Sequence, residues 1–366
     1  MGHIDQLGDD MTKSILSTLQ LELLIKCKCV SKRWKDLVTE IIKEKKEKMK
    51  GVILVNFVHT DLPGMYIPQY SYASPHANVY NLDLAMDYLP FRHFTVRDSC
   101  NGNLLCIGGN EPGGSYYICN PVTRKWVVLP DSPPTTPNQH DVLAFDPSSP
   151  HYKVLRWFQP NSPRYQFAEL DVYSSRTRTW SRIGIPNLRR INTYPRDDMW
   201  TSSVFIKGVV FILADPNVVV ALLVSEDVFP PSPVIKLPYQ DLDETIHRRL
   251  GKWGGLLCYM DYNKTRIKIW VLEDLSRRKW VLKQVISVQT LLNLIPEASR
   301  IDHPFLPVAF HAEKEEIILE VPEGVVCYGL TTSKFVGMYS INYLQRGNIP
   351  FRDVTVYPFS ASFHCP

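Results

Sequence analysis

The densest group of chemistry-bearing side chains lies in residues 23–38, LLIKCKCVSKRWKDLV. It holds Cys27 and Cys29 one residue apart, five cations (Lys26, Lys28, Lys32, Arg33 and Lys35) and Trp34. Two thiols at that spacing bind a metal only if they converge. On an α-helix they point about 200° away from each other, and no neighbouring His or Cys completes a tetrahedral set. The cations could meet phosphates, yet Glu22, Asp36 and Glu40 interrupt them and no nucleic-acid-binding motif adjoins them. Solvated charges flanking an apolar face that binds another protein fit this stretch better.

Elsewhere the chain offers no catalytic constellation by spacing. It has no glycine-rich phosphate loop, no nucleophile elbow, no HExxH and no repeated Asp-rich metal loop. Cys100 and Cys106, in SCNGNLLC, read as packed side chains. None of the ten histidines stands beside a candidate nucleophile. No cofactor and no metal are expected. A propeller hydrolase would instead need carboxylates or arginines gathered in a central channel.

The elements that must carry these residues change character near Gly51. Before it, Leu16, Leu19, Leu24, Cys27, Val30, Trp34, Leu37 and Ile41 recur at steps of three to five, keeping one face of one or two α-helices apolar. The tail Lys43–Lys50 mixes charges at helical spacing and reads as a solvated helix end. After it come short β-branched and aromatic runs punctuated by Pro, Gly, Asn and Asp. The first 50 residues hold eleven Lys or Arg against eight Asp or Glu, while the whole chain carries +4, so the β region is close to neutral. That balance argues against a nucleic-acid-binding body. The start of the chain is acidic, without the apolar run of a secretory signal, and no stretch is long and apolar enough to span a bilayer. A cytoplasmic or nuclear protein is expected.

The β region repeats. GVILVNF, GNLLCIG, YKVLRWF, GVVFIL, GGLLCY and EEIILEV follow one another at about fifty-residue intervals. A second marker, an aromatic or apolar anchor after a turn, keeps the same period at Trp126, Trp180, Ile235, Trp280 and Phe335. Units of that size with three or four strands cannot bury both faces alone, and radial closure is the usual solution. The expected fold is therefore a small all-α module followed by an all-β domain, a six-bladed β-propeller. The anchoring Trp residues should pack between blades, and DVTVYPF near the C-terminus should pair with the first blade and close the ring. The expected division is a helical module over 1–45, a helix end or linker over 46–51, and the propeller over 52–366.

Residues 7–34, LGDDMTKSILSTLQLELLIKCKCVSKRW, resemble an F-box, the helical module that docks on the Skp-type adaptor of cullin-RING ubiquitin ligases. Leu7, Asp9, Asp10, Ile15, Leu16, Ser17, Leu19, Leu24, Cys29, Val30, Ser31, Lys32 and Trp34 carry the match. DSCNGNLLC and YYICNPVTRKWVVLP are similar to segments of the plant F-box-associated, kelch-like domain. Gly8 and Gln20 stand where the family pattern has prolines.

The resemblance implies a non-catalytic substrate-recognition subunit of a Skp–cullin–F-box ligase. Adaptor contacts would come from Leu7, Gly8, Met11, Ile15, Leu16, Leu19, Gln20, Leu24, Val30 and Trp34, with Cys29 and Val30 packed inside the module and Trp34 anchoring it. An unidentified target protein would meet loops carrying Tyr66, Tyr70, Arg189, Arg190 and Trp200. No nucleic acid and no membrane are expected as partners. The alternative is an adaptor-independent interaction scaffold with a degenerate F-box.

Overall fold

The computed structural model describes residues 7–19, 21–48, 50–59, 66–73, 86, 88–90, 94–108, 114–134, 139–146, 148–158, 168–185, 202–214, 217–224, 234–238, 247–295, 305–311, 314–321, 324–340 and 354–360. Where one or two helices are expected at the start, three are found: α1 (Asp9–Ser17), α2 (Leu21–Lys26) and, after a 3-10 turn at Cys27–Cys29, α3 (Lys32–Lys48). Ser31 sits just before α3, and its hydroxyl accepts the Trp34 N–H at 3.2 Å, as an N-cap does. None of the described helices is long and apolar enough to cross a membrane.

The rest is a β-propeller. Five antiparallel four-stranded sheets follow in chain order: β3–β6 (Phe94–Cys100, Asn103–Gly108, Ser115–Asn120, Lys125–Val128), β7–β10 (Gln139–Phe145, Tyr152–Phe158, Ala168–Ser174, Thr179–Ile185), β11–β14 (Ser203–Ile206, Val209–Ala214, Val218–Leu223, Val234–Lys236), β15–β18 (His247–Trp253, Leu256–Tyr262, Arg266–Asp274, Lys279–Ser287) and β19–β22 (Leu306–Phe310, Glu316–Val321, Gly324–Gly329, Lys334–Ser340). A short helix, α4 (Val288–Leu294), separates the last two. The remaining sheet has three strands, in the order β2 (Tyr66–Ala73), β1 (Lys50–His59), β23 (Val354–Ser360).

The expected six blades are thus corrected to five four-stranded blades and one three-stranded sheet, in which no strand follows β2 on the outer edge among the described residues. GVILVNF supplies β1, and β23, which holds most of DVTVYPF, takes the inner position and pairs antiparallel with β1 from Lys50↔Ser360 to Asn56↔Val354, as expected of that segment. The first strands of successive sheets lie side by side, β3 with β7, β7 with β11, β11 with β15 and β15 with β19. β19 then meets β23, and β23 meets β3.

Alternate residues of each strand point to opposite neighbours, so the core is divided into layers between blades. Leu105, Tyr116 and Ile118 of the first full blade pack with Leu143, Phe145, Val154 and Tyr173 of the second. Val142, Leu155, Trp157 and Leu170 face the other way, onto Val210, Ile212, Val220 and Leu222 of the third. Hairpins Asn101-Gly102 and Lys207-Gly208 turn β3 into β4 and β11 into β12 with φ of 47° and 79°, and of 46° and 82°. This pair of positive angles is the left-handed geometry that matches strand twist, and glycine at the second position removes its cost.

Hydrogen bonds latch one blade to the next. Trp180 Nε1 donates to the Pro130 carbonyl at 3.1 Å, and Trp280 Nε1 to the Lys236 carbonyl at 2.9 Å. The packing expected of these two anchors therefore includes a bond to the preceding blade. Trp126 differs: it is half-exposed and its ring lies 6.0 Å from Tyr117 in its own blade. Along the inner strands, the Asp98 carboxylate accepts the Leu143 N–H (2.7 Å) and the Ser202 hydroxyl accepts the Leu250 N–H (2.8 Å). Arg97 Nη2 donates to the Gln139 carbonyl (2.8 Å), Arg249 Nε to Val308 (3.2 Å) and the Tyr357 hydroxyl to Val96 (2.9 Å). Arg97 and Arg249 are thereby engaged with a neighbouring blade.

Inner strands approach closely at Gly251, where an added Cβ would run into the Phe310 ring of the next blade. Gly251→Ala is expected to cost about 1–3 kcal/mol by overpacking, read as a lower urea midpoint with an unchanged m-value.

Between the first two full blades lies a buried polar system. Asp141 receives Arg97 Nε (2.7 Å) and the Tyr116 hydroxyl (2.6 Å). Deeper in, Arg156 and Asp171, both without solvent exposure, pair at 2.7 Å. The Arg156 guanidinium also donates to the Pro133 carbonyl (2.8 Å) and lies over the Tyr116 and Trp180 rings. Burial works to raise the Asp171 carboxyl, but Arg182 and Arg156 outweigh it and hold the group below its ordinary range.

His140 stacks on Trp157 at 5.8 Å, and burial, followed by the Arg97 charge, pushes its imidazole down from 6.5 to about 4. Between those values the unfolded chain binds a proton that the folded chain refuses. This group's contribution is therefore complete above pH 6.5 and is lost as pH falls through 4. Asp98 works oppositely, since burial pushes it up to about 7. Comparing wild type with His140→Phe isolates the imidazole. On going from pH 7 to pH 4.5 the variant should lose roughly 2 kcal/mol less stability than wild type in urea titrations.

Candidate docking surface

The helical module has its own core. Leu16, Leu24, Leu37, Val38 and Ile41 are buried together, with Leu19, Cys27, Trp34 and Ile42 packed against them. Lys13 ties α1 to α3 through Glu40 (3.0 Å) and Glu44 (2.7 Å), whose hydrogen bonds raise its ammonium above the ordinary range. Arg33, in the first turn of α3, bonds to Asp9 Oδ1 (2.6 Å) and to the Leu7 carbonyl (2.5 Å). Lys45 Nζ reaches the Leu19 carbonyl at 3.5 Å.

This packing sorts the expected contact residues. Leu16 and Leu24 have at most 1% exposure and hold the module together, so the apolar anchors expected at these two positions are corrected to core residues. Leu19 and Trp34 are half-buried against that core, and Leu7 is half-buried. Gly8 is exposed, and Gln20 lies outside the described residues. Met11 (58%), Ile15 (52%) and Val30 (62%) are open to solvent.

The expectation that Cys29 and Val30 pack inside is likewise corrected, as both are exposed. The α-helical phase stops at Lys26, and the tighter 3-10 turn aims Cys27 at the core instead. The sequence reading missed Leu23 (49%) and Ile25 (40%), which are exposed alongside them. A signal existed, because a short helical module has room for only a few buried apolar side chains and the surplus must face outward.

Among the described residues, five large apolar side chains, Met11, Ile15, Leu23, Ile25 and Val30, are left outside the buried core of the module. Met11 and Ile15 stand one turn apart on the same face of α1. Exposed Lys26 and Lys32 border the set in sequence. Apolar anchors rimmed by charge suit a protein partner and no bond chemistry.

On the propeller, Tyr66 and Tyr70 belong to β2, opposite His59 and Val55 of β1. Arg189, Arg190 and Trp200 lie outside the described residues.

Residues 4–46 match a family model described as the F-box domain, and residues 55–323 match one described as the F-box associated beta propeller domain. Among curated proteins of Arabidopsis thaliana, the chain is 25% identical to F-box protein At5g18160, covering 77% of this chain and 71% of that protein. It is 26% identical to F-box protein At5g07610, covering 89% and 84%. Among solved structures, the WD40 domain of SCAP from fission yeast aligns at a TM-score of 0.38 with 8% identity, over 68% of this chain and 55% of that one, a likeness too distant to bear on blade number.

Proposed function

The chain belongs to the F-box-associated β-propeller family, and on that premise we propose that it is the substrate-recognition subunit of a Skp–cullin–F-box ubiquitin ligase in the cytoplasm or nucleus. The observation that carries the reading is the set of solvent-exposed apolar residues on a helical module whose buried core, among the described residues, does not include them. In this reading Met11, Ile15, Leu23, Ile25 and Val30 seat on the Skp-type adaptor, while Leu16 and Leu24 keep the helices in register. The β2–β1–β23 sheet serves as the sixth blade, and the propeller holds the target protein.

Such a subunit breaks no bond. It raises the local concentration of the target's lysines near a charged ubiquitin-conjugating enzyme, and a tethered reaction partner at millimolar effective concentration needs no further catalytic group. Affinity capture of the tagged full-length chain tests the assignment. Adaptor and cullin should be recovered with it in stoichiometric amounts. Recovery of other partners without adaptor or cullin would replace this assignment with an adaptor-independent scaffold.

A further inference from the structure

We propose that Arg33 is a positioning residue that aims the docking face of α1 by clamping the chain across Gly8, an inference that rests on the adaptor-docking role above. No side-chain cap hydrogen bond is made at the start of α1. Gly8 precedes the helix without a side chain, and its carbonyl alone receives the Thr12 N–H and hydroxyl, each at 3.0 Å. Glycine leaves the lead-in with more backbone freedom than any other residue.

The missing restraint comes from α3. Arg33 Nη2 donates to the carbonyl of Leu7 and Nε to the carboxylate of Asp9, so one guanidinium grips the residue on each side of Gly8. A planar fork fixes direction as well as distance. Lys13, the other polar tie between α1 and α3, is a point charge that holds the helix close without setting its tilt. Met11 and Ile15 follow within two turns of the clamp, so their placement depends on that tilt.

Gly8 itself supplies an independent handle. Its φ of −58° lies inside the range that proline imposes, and a Cβ there would meet nothing within 4 Å. Gly8→Pro can therefore impose through a covalent ring the order that Arg33 imposes through hydrogen bonds.

The test uses the full-length chain as wild type, Arg33→Ala, Gly8→Pro and the double variant, titrated with purified Skp-type adaptor. Arg33→Ala should weaken binding about 5- to 10-fold, and the double variant should return to within about 2-fold of Gly8→Pro. Without adaptor, amide exchange over residues 9–12 should quicken in Arg33→Ala and not in the double variant, while the unfolding of the propeller stays the same in all four. Wild-type affinity in Arg33→Ala overturns the proposal. So does a loss that Gly8→Pro leaves uncorrected, which would mean direct contact between Arg33 and the adaptor. If wild type itself does not bind, the docking role fails; the exchange measurement still judges the clamp, and unchanged exchange in Arg33→Ala overturns it.

Discussion

Replacing Met11 and Ile15 together by Asp should lower adaptor affinity more than about 100-fold while leaving the helical module folded. Both side chains are more than half exposed, so the substitution removes nothing from the core; Asp at position 11 lies in the first turn of α1, where the helix dipole favours it, while Asp at position 15 lies in the last turn and costs about 0.3–1 kcal/mol. On the docked surface, two carboxylates would be stripped of water opposite apolar groups, which costs several kcal/mol without a counter-charge. Leu16→Asp is the contrasting variant. It also abolishes binding, but by placing a charge at a fully buried core position, and it should lose the helical signal of the module as well. Calorimetric titration paired with circular dichroism separates the two. Retained affinity in the double Asp variant would move the docking surface elsewhere.

Asp171→Ala should destabilise the propeller by about 3–5 kcal/mol, because it leaves Arg156 charged, buried and without its counter-ion. The remaining partners of that guanidinium are the Pro133 carbonyl and the Ser132 hydroxyl, which are neutral. Arg182→Ala removes only the half-exposed member of the trio and should cost less than about 1 kcal/mol. The double variant Arg156→Met with Asp171→Leu should recover most of the loss, since an apolar pair of similar volume needs no desolvation of charge. Urea midpoints at constant m-value give all three numbers. A small effect for Asp171→Ala would show that water reaches Arg156 in the folded state.

These two groups of residues also show how far the sequence could be read. The fifty-residue period was legible because strand pairing places chemical demands on single positions. The helical module was legible from apolar spacing, but its two faces were not told apart. Apolar steps of three to five set Val30 on the same face as Leu16 and Leu24, and the F-box resemblance implied that it packs inside, whereas the 3-10 turn at Cys27–Cys29 breaks the helical phase and Val30 is exposed. Arg156 and Asp171, in the strand runs YKVLRWF and FAELDVY, were not singled out by the sequence. Nothing local says that a neighbouring blade covers that face, since Tyr116 arrives from forty residues away. The return of DVTVYPF to the first blade was legible and is found, since β23 pairs with β1. The count of six blades was not, because periodicity marks each unit without saying how many strands it holds.

One residue separates the end of α3 at Lys48 from the start of β1 at Lys50, and β1 is gripped along both edges, by β2 and by β23. A load applied through the helices therefore meets two ladders in shear, where many bonds must slip at once, instead of unzipping one at a time.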